Sequence, residues 1–582
     1  MAALRYLAAT GVALALGGAA FAQKTAIVDA TVFDGTGAAP YVATVVIDGA
    51  TIESVEKGGK APRGATVVRG KGLALLPGLH DLHTHYFSRD RGRYNPSEVN
   101  WSYVSSGVTA VGDFSQAAEA YAPRRAWFAT MPGPHVLVAG RIAPYNVQIA
   151  DWGDPDSSTW VDTPYGATRG VKALAAYKPD IVKVFTDGWR YGTGAENASM
   201  DLETLSALVA EAKAQNLPVL SHTVTIDRGK IAAKAGVSVI AHALQDRAVD
   251  QELLDLMVKN GVAHAPTLAT YEPIKPGQVN FTPNDPGLKA RLARFDLALA
   301  NVKAMHDAGV PIVIGSDSGN RQVPHGPSSL HEMELLVKAG LTPSEALVAA
   351  TANSARASGH AERGVIAPGK AADLVLIDGK PWETIADVRK TVRTFVDGKT
   401  VFRKGAKPPS RAEQPPPVPA KAVLADFESA DGRMAGGALP TADLDRDGLR
   451  SVQVLSVVPR GAGHALAAAS RMADRADAFT EIVLPLNTGG VAPADLRAYR
   501  GLSFELQGEG DYDIALMTPA GRWTGRVTAG EDWGAHKVAF ADLKAPSDDA
   551  AWSGVDVTAI RLRIVRAAGT SLITEIDNVG FY

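Results

Sequence analysis

The sequence predicts an α/β protein: a (β/α)8 barrel inserted in a small β-sandwich domain and followed by a separate all-β jelly-roll domain. Three observations carry this expectation. Eight short β-type runs between residues 79 and 317 alternate with helical stretches, the pattern of a parallel sheet wound with crossover helices. Segments of β character flank them at 24–68 and 364–402. Beyond a proline-rich stretch at 404–421, the chain is again strand-like. An open doubly wound sheet is the alternative arrangement of the central strands. No glycine-rich phosphate loop follows an early strand, which disfavours a dinucleotide site.

Taken in order, residues 1–22 open with Arg5, continue through an apolar run from Tyr6 to Leu16, and end in Ala20-Phe21-Ala22. A positive start, an apolar core and a small-x-small site read as a cleaved secretory signal, so a periplasmic or secreted protein is expected. The run is shorter than the roughly 20 residues needed to span a bilayer, and no later stretch could span one. Residues 23–76 and 360–403 are expected to form the small β-domain together. Residues 77–359 supply the barrel, with strands at 79–85, 108–113, 136–140, 181–185, 219–222, 238–242, 263–268 and 312–317. A recurring junction, helix then glycine then a valine that starts a strand, marks it at Gly107-Val108, Gly236-Val237, Gly261-Val262 and Gly309-Val310. Glycine accepts the left-handed geometry that ends a helix, and valine suits the strand that follows. Residues 404–421, with six prolines, read as a stiff linker. Residues 422–582 read as a β-sandwich.

Composition narrows the function. At 582 residues and 46% hydrophobic, the chain can bury several cores. Its net charge is −3 and it has no basic block, which argues against nucleic acid as the main partner. The absence of cysteine excludes disulfides, thiolate metal sites and a cysteine nucleophile.

A barrel enzyme builds its site at the C-terminal ends of its strands. The first strand ends in His83 and His85, within Pro77-Gly78-Leu79-His80-Asp81-Leu82-His83-Thr84-His85. Alternate residues of a strand share a face, so Asp81, His83 and His85 are expected to point one way. Two neutral imidazoles on one face can hold a metal ion. The fourth strand carries Lys183, the fifth ends in His222, the sixth in His242 and the eighth in Asp317. Each has an innocent reading: a buried hydrogen-bonded imidazole, a lysine paired with Asp180, an aspartate capping a turn. Six polar side chains at the expected strand ends are harder to assign to packing.

The chain resembles the amidohydrolase superfamily, and within it the imidazolonepropionase-like and prolidase-like hydrolases. The resemblance rests on the 77–85 motif, Gly107-Val108-Thr109-Ala110-Val111, Ile181-Val182-Lys183-Val184, His222, His242, Gly315-Ser316-Asp317 and Ala367-Pro368-Gly369-Lys370-Ala371-Ala372-Asp373-Leu374. It implies two divalent metal ions, usually zinc, bridged by Lys183 carrying a CO2-derived carbamate. It also implies His83, His85 and Asp317 on one metal, with His222 and His242 on the other. The expected activity is hydrolysis of a C–N bond (an amide, cyclic amide or dipeptide) by a hydroxide bound between the metals, with Asp317 as proton shuttle. A lactonase or esterase, a deaminase, or a non-catalytic glycan-binding protein are the alternatives; one-metal deaminases of this superfamily lack the strand-4 lysine.

Departures from the pattern are specific. His80 stands where an aliphatic residue is usual, and a packing role is expected for it. Thr223-Val224-Thr225 follows His222 without the His or Tyr many relatives carry there. Tyr86, Arg141 and His325 are loop candidates for substrate contact. The C-terminal region is similar to galactose-binding-like jelly rolls, with Trp523, Trp533 and Trp552 as candidate sugar platforms.

Overall fold

The computed structural model describes residues 24–582 except 87–94, 145–157, 188–197, 276–284, 321, 409, 411–413, 446–450 and 565. The expected secretory signal lies outside the described residues. No helix among the described residues is long and apolar enough to cross a membrane.

The two flanking β-segments form one sheet. Strands Thr25–Val32, Tyr41–Asp48, Thr51–Glu56, Thr66–Arg69 and Ala74–Pro77 precede the barrel, while Leu374–Ile377, Thr391–Val396 and Lys399–Arg403 follow it. The seam is an antiparallel pairing of Ala74–Pro77 with Leu374–Ile377, with Pro77 opposite Leu374 and Leu75 opposite Leu376. Ile27, Val45, Ile47, Leu75, Leu374, Leu376 and Phe395 fill the core of this domain, and the barrel is inserted between its halves.

Seven barrel strands run parallel in chain order: Leu79–Thr84, Val108–Asp113, His135–Ala143, Ile181–Phe185, Val219–His222, Val239–Ala241 and Ala263–Ala265. The eighth position is held by two parallel bridges, His264 with Ile312 and Thr84 with Ser318. Val313 N–H donates to His264 O at 3.0 Å, and Leu82 N–H to Ile314 O at 2.8 Å. This segment closes the ring through these bridges and bonds rather than through a continuous ladder, and Asp317 near its end adopts φ 56°. The seventh strand stops three residues earlier than expected, at Ala265, because Pro266 and a left-handed Thr267 follow.

Leu82, Leu137, Ala139, Ile181, Leu220, Val239 and Val313 fill the barrel interior. Helices pack outside, and several begin on side chains that accept a first-turn N–H: Asn95, Thr163, Asp201, Asp250, Asp285 and Thr342. Gly236 and Gly261 end their helices in the left-handed region, as the junction pattern requires.

The C-terminal region is two antiparallel sheets over one core. Strands Val452–Arg460, Gly463–Arg471, Ser571–Phe581, Gly501–Gln507 and Gly534–Ala539 build one, with Val423–Ala425 added to Ser571–Phe581. Strands Thr441–Leu444, Thr480–Pro485, Ala559–Ile564, Gly510–Thr518 and Gly521–Ala529 build the other. Trp523 belongs to the core between them and packs edge-on against Trp552, with ring centroids 5.3 Å apart. Trp533 lies under the Arg460 guanidinium, 3.7 Å from its ring centroid. All three tryptophans thus have protein partners across a face or an edge. The sandwich meets the barrel where Arg433 donates to Glu119 at 2.8 and 3.0 Å, while Tyr177 OH donates to the same carboxylate at 2.6 Å.

Candidate metal centre

Five strand ends deliver the cluster. His83 stands in the first strand and His85 just beyond it; Lys183 and His222 lie in the fourth and fifth; His242 follows the sixth; Asp317 comes from the closing segment. All six are buried. The rings of His83 and His242 are 4.7 Å apart, those of His83 and His85 5.5 Å, and those of His222 and His242 4.2 Å. Asp317 Oδ1 lies 2.9 Å from His85 Nε2 and 3.6 Å from His83 Nε2. Lys183 Nζ and the rings of His83 and His85 share the Phe114 ring, with Nζ 4.8 Å from its centroid. Gly315 makes room: a Cβ there would stand 2.9 Å from the Cβ of His83.

The electrostatics suit a cation. Burial, with Lys183, His85 and His222 nearby, holds His83 well below the ordinary imidazole range, so it is neutral and can donate a lone pair. Burial also pulls Lys183 down to about 7, against the attraction of Asp317 and with the repulsion of Arg141. A neutral amine, the form that reacts with CO2, is therefore accessible at neutral pH.

The donor atoms fit a metal. Those of His83, His85 and Asp317 lie within 4.8 Å of one another, and ligands about 2.1 Å from a tetrahedral cation stand about 3.4 Å apart. Asp317 Oδ1 and Lys183 Nζ are buried and make no hydrogen bond among the described residues. Buried polar atoms rarely go without a partner, and a bound cation would give Asp317 Oδ1 one. A second group, His135, Asp373 and Asp397, is equally compact. There Arg363 already donates to Asp373, so a cation would face a guanidinium.

The family model described as the amidohydrolase family matches residues 74–401. The chain belongs to the amidohydrolase family. It is a hydrolase acting on C–N bonds. Ochratoxinase of Aspergillus niger is 26% identical over 361 residues, covering 53% of this chain and 71% of that protein. An imidazolonepropionase of Deinococcus radiodurans is 25% identical over 377 residues, covering 59% and 87%. Among solved structures, a Xaa-Pro dipeptidase with bound methionine matches with a TM-score of 0.56 at 24% identity, over 66% of this chain and all of that one. The structure of A. niger ochratoxinase matches with a TM-score of 0.56 at 22% identity, over 66% and 97%. These structural likenesses establish the fold.

Within this amidohydrolase barrel, two expected placements change. Asp81 does not join the face of His83 and His85. The register shifts between Asp81 and Thr84, and the Asp81 carboxylate instead accepts from Ser316 and Ser329, the latter on helix Pro327–Ala339. Tyr86, expected at the substrate, is fully buried: its N–H donates to Asp113 Oδ1 at 2.9 Å, and its ring stacks on Tyr103 5.9 Å away. The turn after His85 sends it into the helix layer. His325 stands beside it, with Nδ1 2.8 Å from Tyr103 OH. Arg141 is buried and in register with Lys183. His80 lies among Asp373, Arg363, His135 and His360, held neutral by burial at about 3, in keeping with packing.

The sequence reading missed Phe114, Asp187, Thr267 and Glu332. Asp187 is fully buried, with Oδ1 3.7 Å from His222 Nε2. Its position two residues past the fourth strand was the available signal. Glu332 is buried and held up at about 8 by desolvation; nothing in its helical context marks it.

Proposed function

We propose that this chain hydrolyses amide-type C–N bonds with two divalent cations, zinc in the first instance. In this reading His83, His85 and Asp317 would hold one, His222 and His242 would hold the other, and Lys183, as a carbamate, would supply an anionic ligand. The observation that supports it is the convergence of four imidazoles, one lysine and one carboxylate in a single buried space at the strand ends. When bound, such cations supply a water of lowered pKa and a Lewis acid for the carbonyl oxygen. Asp317 accepts that water's proton and returns it to the leaving nitrogen, a positioned acid/base. His83, kept neutral by burial, contributes a lone pair and no charge. Phe114 beneath Lys183 and Phe185 stacked on His222 at 5.6 Å exclude bulk water from the lysine.

Dipeptides are the substrate class that similarity to a Xaa-Pro dipeptidase supports. N-acyl amino acids and cyclic amides present the same carbonyl and leaving nitrogen. The test is elemental analysis of purified protein, with N-acyl amino acids, dipeptides and lactones screened against metal-loaded and chelated samples. Two ions per chain, with amide cleavage that stops on chelation, is the expected result. One ion per chain with ammonia release would point to deamination, and turnover of lactones alone to an esterase; either would overturn the proposal.

A further inference from the structure

Three non-glycine residues at the ends of consecutive barrel strands adopt left-handed backbone geometry: His242 at φ 82°, Thr267 at φ 48° and Asp317 at φ 56°. Two are already placed in the centre. Thr267 is the unexplained one, and for a β-branched residue this geometry is a true outlier. Such strain persists only where the surroundings over-determine it, and it gathers at functional sites.

The surroundings do over-determine it. Thr267 is fully buried and follows Pro266. The two N–H groups after it, on Leu268 and Ala269, donate to the two carboxylate oxygens of Glu332, each at 2.7 Å. Glu332 is fully buried on helix Pro327–Ala339, so it fixes the turn from the helix layer. On the barrel side Gly315 leaves room for its side chain: a Cβ there would lie 3.5 Å from Thr267 Cγ2. Held this way, Thr267 Oγ1 stands 3.1 Å from His242 Nδ1. A hydroxyl that accepts from Nδ1–H fixes the tautomer and leaves the Nε2 lone pair to face the cluster.

We propose that Thr267 and Glu332 are a positioning pair for His242: Glu332 locks the turn that carries Thr267, and the Thr267 hydroxyl sets the ring and tautomer of the ligand. The inference rests on the metal reading of the site above. Both residues are fully buried, and Glu332 acts only through the backbone.

The test compares the zinc-loaded full chain with Thr267→Val, Thr267→Ser and Glu332→Gln. Zinc retention is measured by chelator competition, and site geometry by the visible spectrum of the cobalt-substituted proteins. Thr267→Val keeps the shape and loses the hydroxyl, so zinc affinity falls about 10- to 100-fold and the cobalt spectrum shifts. Thr267→Ser, which keeps the hydroxyl, retains zinc as the wild type does. Glu332→Gln turns an amide N–H2 on one backbone N–H and weakens binding in the same direction. Thermal unfolding of the metal-free proteins shows whether a variant has simply lost its fold; the Val and Ser pair carries the test if Glu332→Gln does not fold. Unchanged zinc retention and cobalt spectrum in Thr267→Val, with two ions in the wild type, would overturn the pair and leave the metal reading standing. A wild-type chain that takes up no metal would overturn both.

Discussion

Ser316 Oγ donates to Asp81 Oδ2 at 2.5 Å, and Ser316 N–H donates to Asp81 Oδ1 at 2.9 Å. One carboxylate thus ties the first barrel strand to the segment that closes the ring. Ser329 Oγ adds a third donor at 2.6 Å, and His83 N–H a fourth at 3.3 Å. A proposed ligand follows each end of this tie: Asp317 comes one residue after Ser316, and His83 two after Asp81. Removing the acceptor strands buried donors, at about 1–3 kcal/mol for an unmet buried group. Asp81→Ala is expected to lower stability by roughly 3 kcal/mol and to weaken zinc retention. Asp81→Asn keeps one acceptor oxygen and loses less. Urea unfolding of the metal-free proteins measures the difference; equal stability in all three would show that the tie contributes nothing.

Asp317 tests the chemistry more directly. In the proposed mechanism it moves a proton between water and leaving nitrogen, a role typically contributing about 10²- to 10⁴-fold in rate. Asp317→Asn retains the shape and cannot accept the proton. Its kcat on an accepted amide or dipeptide is expected to fall in that range, with the unfolding midpoint of the metal-free protein little changed. A variant that turns over at the wild-type rate rules out the shuttle.

Lys183 gives a pH-dependent expectation. Burial brings its ammonium down to about 7 in the metal-free protein. Only the neutral amine forms a carbamate, so metal-free protein given zinc and bicarbonate should regain its second metal ion more readily as pH rises through about 7. Lys183→Met, which has no amine, should hold one ion per chain at every pH. Full two-ion loading of Lys183→Met, read by elemental analysis, would remove the carbamate from the account.

The candidate ligands were legible because each stands in or just past a short β-type run; for His242 and Asp317 a glycine junction, at Gly236 and Gly309, also marks where the run starts. What stayed hidden depends on local breaks in register or on contacts between distant segments. Asp81 leaves the face of His83 because the ladder slips between Asp81 and Thr84, and strict alternation cannot anticipate a slip. Thr267 looked like a strand residue, yet Pro266 and a carboxylate 65 positions away in Glu332 turn it left-handed. Tyr86 read as a loop residue near the mouth, and its N–H bond to Asp113 drew it into the helix layer. The flanking sheet was legible as two separate β-rich segments, and the pairing of Pro77 with Leu374 joins them.

That sheet meets the base of the barrel through charge. His135, at the start of the third barrel strand, has Nε2 3.4 Å from both Asp373 Oδ2 and Asp397 Oδ1. Burial alone would push its imidazole down; the two carboxylates outweigh that and hold it up at about 9, although Arg363 beside them opposes. His135 is therefore protonated in the folded protein at neutral pH, whereas an unfolded histidine titrates near about 6.5. A folded pKa above the unfolded one gives stability that is fully present below about 6.5 and lost as pH rises through about 9. The contribution is about 1–3 kcal/mol once partial exposure is allowed for. Metal-free wild type should thus be more stable than His135→Gln in mildly acidic solution, with the gap closing through about pH 9. Paired urea titrations of the two proteins across that range measure it. A gap that stays constant with pH would mean that His135 packs against the sheet without carrying charge to it.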